Sequence, residues 1–231
     1  MLQLNLRRVH RASALLLVAF ACAHIGNHLW ALRGAAAHIE LMDGLRLVYR
    51  HPLVEPILLA GAGFQCISGW GLVVLGWCRR TGWVAWLQAS SGAGLATFVL
   101  VHVASVLYGR WVLRLDTNFY FAAAGLHAPS GAWFFGLYYF LAVVALFTHL
   151  GCALPWHAKA RFAHARRYVI GGAVLVGSAV AASIIASLAG MTEPVDIPAA
   201  YKASYGASDK IGPEPVFRLI QAERVDGRDN K

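Results

Sequence analysis

Charged side chains are scarce in this chain. Only 13% of its 231 residues are Asp, Glu, Lys or Arg, where a soluble domain carries about 25%. That shortage excludes an ordinary soluble globular fold. Acidic residues are the scarcest of all, 11 against 20 Lys and Arg. Cysteine is limited to Cys22, Cys66, Cys78 and Cys152, no two of them close in sequence. This excludes a CxxC metal site and a disulfide framework of the secreted kind. Small residues in helix packing account for the four thiols most simply.

Apolar sequence takes the place of charge, with 58% of residues hydrophobic. A helix that crosses a bilayer core needs roughly 20 consecutive apolar residues. Ala12–Leu32, Pro56–Cys78, Thr81–Gly109, Thr117–Ala158 and Tyr168–Thr192 reach that length without one charged residue. The fourth is too long to lie wholly in a membrane. Its helix is expected over Gly131–Leu154, ended by Pro155, because a helix interior does not accept proline readily. The first run follows basic residues, as a signal peptide would. It is too long for that, carries two histidines and lacks a clean Ala-x-Ala site, so it reads as a retained helix. The expected fold is an all-α membrane protein: a five-helix domain over residues 1–192 and a polar tail over 193–231. The tail holds Pro194, Pro198, Pro213 and Pro215, shows little apolar periodicity, and is expected to be extended or partly ordered.

The net charge of +9 is distributed by side of the membrane and is no nucleic-acid signal. One set of connections carries Arg7, Arg8, Arg11, Arg79, Arg80, Lys159, Arg161, Arg166 and Arg167 and no acid. The other set carries Arg33, Arg46, Arg50, Arg110 and Arg114, diluted by Glu40, Asp43, Glu55 and Asp116. The positive-inside rule then puts the N-terminus in the cytoplasm and the tail outside, in a plasma (inner) membrane. The basic stretch Leu4–Arg11, which includes His10, suits contact with anionic lipid. Ser13 follows. It can cap the first helix, or join Arg11 at a quinone headgroup, since polar groups at membrane depth are often functional.

Histidines interrupt the apolar runs at His24, His28, His102 and His149. An ionisable group in hydrocarbon is costly and normally has a partner and a task. With a rise of about 1.5 Å per residue, His24 and His102 fall at similar depth in the outer half of the first and third spans. His149 lies on the order of 15 Å deeper on the fourth. Two neutral imidazoles facing across a gap suit the axial positions of a haem iron, and Ala21, Ala23, Gly26 and Ala104 would leave room for the macrocycle. Zinc would need further Cys or carboxylate ligands at this level. The simpler alternative is an interhelical hydrogen bond from each histidine.

These residues resemble a family. His24-Ile25-Gly26-Asn27-His28 is similar to the haem-ligand stretch in the first helix of the five-helix cytochrome b anchor of succinate dehydrogenases and fumarate reductases. Leu87-Gln88-Ala89-Ser90-Ser91-Gly92 with Val101-His102 resembles that family's third helix. Tyr138-Tyr139-Phe140-Leu141 with His149-Leu150-Gly151 resembles its fourth. The resemblance covers residues 5–190. It implies b-type haem on His24 and His102, an inner haem on His149, quinone as substrate, and flavoprotein and iron–sulfur subunits docked on the cytoplasmic face. It also implies a role for an acid in the first outer loop, Asp43 or Glu40. The second helix departs from the family pattern: Gln65 or a glycine stands where a histidine belongs, which leaves His149 without its usual partner. His28 is set to meet a propionate, a neighbouring helix or the interface. Two other readings stay open, an anchor of another dehydrogenase such as a hydrogenase, and a non-redox membrane protein.

Overall fold

The computed structural model describes residues 2–129, 131–154 and 165–206, with side chains from Asn5 onward. Among these residues there are eight α-helices and no strand. They are α1 (Leu2–Trp30), α2 (Ala35–Tyr49), α3 (Val54–Leu75), α4 (Trp83–Trp111), α5 (Phe119–His127), α6 (Ala132–Ala153), α7 (Arg166–Leu188) and α8 (Ala199–Gly206). Helices α1 (continued by a 3₁₀ turn to Arg33), α3, α4, α6 and α7 are long and apolar enough to cross a membrane. Their outward faces are apolar and uncovered, with Leu15 72%, Ile67 77% and Leu175 72% exposed. Lipid is the solvent that such faces require. The chain is a multi-pass membrane protein.

The spans pack in chain order: α1 on α3, α3 on α4, α4 on α6 and α6 on α7. Short connections force this antiparallel succession. The α3–α4 turn closes at Gly82, whose φ of 80° lies in the left-handed region that glycine adopts without strain. Helices α1 and α4 are not packed neighbours, and the space between them is the central feature of the molecule. The end of the bundle where α1 begins is called the near end below, and the opposite end the far end.

Helices α2 and α5 lie at the far end, in stretches expected to be outer loops. Helix α2 ends at Tyr49, just before Arg50-His51-Pro52, because the residue preceding a proline disfavours helix. Asn118 caps α5 by accepting the Tyr120 amide at 2.9 Å. The largest buried cluster of the molecule is here and joins Ala31, Phe119, Ala123, Ala124, Ile184 and Leu188 to Ile197 and Tyr201. The beginning of the tail is therefore docked: Ile197 and Tyr201 are 2% and 8% exposed, and Tyr201 Oη donates to the Asp116 carbonyl at 2.9 Å. Residues 207–231 and most of the 155–167 loop, with Lys159 and Arg161, lie outside the described residues.

Charge clamps the far end. Arg46 of α2 bridges Asp43 at 3.1 Å and Asp116 at 2.7 Å. Arg50 donates to Thr117 Oγ1 at 2.9 Å, and Arg110 pairs with Glu55 to tie α4 to α3.

Candidate functional site

A cavity of about 1730 Å³ runs along the interior between α1, α3, α4 and α6. Small-molecule sites commonly enclose about 300–1,000 Å³, so this space exceeds the need of one ordinary ligand. Its lining is mostly apolar, and His10, His24, His28, His38, His102 and His149 all contribute to it.

His24 on α1 and His102 on α4 face each other across the cavity with ring centroids 6.0 Å apart. Two imidazoles ligating one metal at about 2.0–2.1 Å each would have ring centres separated by roughly this distance. Each ring is held in plane by a phenylalanine one turn earlier on its own helix. Phe20 stacks on His24 at 5.6 Å and 14°, and Phe98 stacks on His102 at 5.2 Å and 15°. Neither His24 nor His102 has a hydrogen bond to any described residue. Both rings are half-buried and border the cavity, and an imidazole at membrane depth normally has a partner. Ala21, Ala23 and Ala104 line the space beside them; Gly26 does not.

A polar cluster continues from His24 toward the far end. His28 packs edge-on against His24 at 4.7 Å and meets His38 of α2 at 5.1 Å. The buried Asn27 amide donates to His38 Nε2 at 3.1 Å. Asn27 Oδ1, His28 Nδ1 and His38 Nδ1 are buried and have no partner. Burial, with the Arg46 guanidinium nearby, holds the His38 ring down at about 4, so it is neutral at neutral pH. The sequence offered no reason to enlist His38 or Asn27, because α2 was not legible as a helix folded back over the cavity.

His149 stands at the near end, four residues before the end of α6. Its Nδ1 donates to the Gln88 carbonyl of α4 at 3.0 Å. The ring lies so close to α4 that a Cβ on Gly92 would come 2.7 Å from His149 Cε1. Gln65, named with a glycine in place of the histidine that the resemblance would expect, binds α1. Its Nε2 donates to Ser13 Oγ at 2.6 Å and to the His10 carbonyl at 2.7 Å.

The residues named for quinone are not brought together. Arg11 lines the near-end mouth of the cavity. Ser13 does not line it, being held by Gln65 and donating to the Val9 carbonyl at 3.0 Å. Asp43 is at the far end, paired with Arg46 and outside the cavity.

The arrangement can hold a flat group between facing imidazoles, with polar atoms beside it toward the far end. Among the described residues no group of three or more His, Cys, Asp or Glu side chains could hold a bare metal ion. The comparisons add nothing to this geometry: no protein-family model, curated protein or solved structure matches the chain.

Proposed function

We propose that this chain is the membrane anchor of a succinate:quinone oxidoreductase, which binds b-type haem and serves electron exchange between an iron–sulfur subunit and the quinone pool. The observation that carries the reading is the facing pair His24 and His102, free of hydrogen bonds, across a cavity large enough for a macrocycle. His24 and His102 would hold the haem iron. When bound, the haem supplies a one-electron carrier inside the membrane. Phe20 and Phe98 restrict both ligand rings to one orientation before anything binds. Asn27, His28 and His38 would meet the polar edge of the group, and α2 with the Arg46 and Arg50 clamps would keep bulk water from that side.

The near-end arginines Arg7, Arg11, Arg79 and Arg80 line the cavity mouth. By the positive-inside rule this end faces the cytoplasm of a plasma membrane. The flavoprotein and iron–sulfur partners would dock there, where a basic surface steers an acidic one. Arg11 would be the quinone contact closest to that interface.

The test is spectroscopic. The purified full-length chain, expressed with haem precursor supplied, is expected to show b-type bands on dithionite reduction, and His102→Ala is expected to lower the haem bound per chain. A featureless reduced spectrum would overturn the reading. Co-purification of a subunit with covalent flavin supports succinate or fumarate chemistry, and a hydrogenase partner would overturn that assignment.

A further inference from the structure

The near end of the cavity contains a second pair of histidines, and the hydrogen bonds around them fix where their protons lie. His10 sits eight residues past Leu2, the start of α1, and His149 lies against Gly92, nine residues past Trp83, the start of α4. Both helices start at the near end, so these offsets place the two rings at similar depth, roughly 12–14 Å in from the helix ends. Both line the cavity.

His10 Nδ1 lies 2.7 Å from Ser68 Oγ. The single Ser68 proton is directed to the Phe64 carbonyl at 2.6 Å. Ser68 Oγ must therefore accept, and His10 Nδ1 must carry the ring proton. His149 Nδ1 faces the Gln88 carbonyl, which can only accept, so that nitrogen carries its proton too. In both rings Nε2 is left with a bare lone pair, and neither Nε2 has a hydrogen-bond partner among the described residues. Metal-bound histidines almost always donate their other ring N–H to a carbonyl or similar acceptor, which fixes tautomer and ring angle. The backbone makes room for this posture: Gly92 admits the His149 ring against α4, and Gly69 lies beside His10 Cε1.

We propose that His10 and His149 are the axial ligands of a second haem at the near end. Residue 10 of the first span supplies the ligand that the second span lacks. The proposal rests on the haem reading of this cavity, and it concerns a different pair of side chains. A quinone fits the pair less well, because its carbonyl oxygens require donors and both Nε2 atoms are acceptors. A bare metal ion has too few ligands here. The carboxylates of a haem would find Arg7, Arg11, Arg79 and Arg80 at the mouth, and Arg80 Nη1 is buried without a partner.

The test counts haem per chain in the full-length protein by pyridine haemochrome, with low-spin EPR signals to separate the sites. About two haems per chain are expected, each site bis-histidine. His10→Ala and His149→Ala should each remove the same EPR signal and reduce the count to about one, while His102→Ala removes the other signal. Ser68→Ala preserves both ligands and should shift only the near-end signal, by freeing the His10 proton. Exogenous imidazole should restore that signal in His10→Gly, which separates ligand loss from misfolding. One haem per chain that is insensitive to His10→Ala and lost in His102→Ala would overturn this proposal and leave the proposed function standing. No haem at all would overturn both.

Discussion

His38 differs from the other histidines around the cavity in lying outside the spans, on a helix laid across the far end. It is 2% exposed, and Asn27, His28, Phe119 and Arg46 surround it. Its folded value of about 4 lies below the ordinary 6.5. Between these values the unfolded chain binds a proton that the folded chain refuses. The neutral ring's contribution is therefore complete above pH 6.5 and is lost as pH falls toward 4. For a shift of this size the contribution is on the order of 3 kcal/mol. His38→Gln retains a side chain able to pair with Asn27 and does not titrate. The wild-type protein should therefore lose thermal stability faster than His38→Gln between pH 7 and pH 5 in detergent. Parallel melting curves across that range would show that His38 is not the group responsible.

At the scale of elements, the spans hold together through glycine rather than through an apolar driving force, since lipid is as apolar as the helix faces. The α6–α7 contact shows this most directly. A Cβ on Gly151 would lie 2.6 Å from Ala173 Cβ, and one on Gly177 would lie 2.7 Å from Phe147 Cβ. Gly172, on the outward side of α7, has nothing within 4 Å. Gly177→Leu should therefore cost about 1–3 kcal/mol through overpacking, with a lower melting temperature, while Gly172→Leu should melt like the wild type. Equal melting of the two variants would mean that α7 does not depend on this close approach. The five spans were legible in the sequence because uncharged length alone marks a helix in lipid. The short helices α2, α5 and α8 were not legible. Each is packed by distant residues, as Phe119 and Tyr201 are; α2 and α8 carry charge, and α5 shares the one uncharged run Thr117–Ala158 with the span that follows it. The facing of His24 and His102 follows from depth, which the sequence supplies. The posture of His10 depends on Ser68 and Gln65, 58 and 55 residues away, and no spacing rule links them.

The whole molecule is polarised along its axis. The near end carries Arg7, Arg8, Arg11, Arg79, Arg80, Arg166 and Arg167 with no acid among its described residues, whereas the far end pairs Arg46 with Asp43 and Asp116, and Arg110 with Glu55. By the positive-inside rule that asymmetry would place the near end in the cytoplasm, where the proposed partner subunits could reach it. A native thiol reports on it. Cys78 lies exposed in the near-end 3₁₀ turn Trp77–Arg79. Cys66 and Cys152 are buried, and Cys22 is exposed but sits mid-span, outside the cavity, where only lipid can touch it. A membrane-impermeant maleimide should therefore modify one residue. Inverted membrane vesicles should be labelled and intact spheroplasts should not, and Cys78→Ser should abolish the label. Labelling of intact spheroplasts at Cys78 would reverse the orientation, move the basic mouth of the cavity to the outside, and remove the docking surface that the proposed iron–sulfur partner requires.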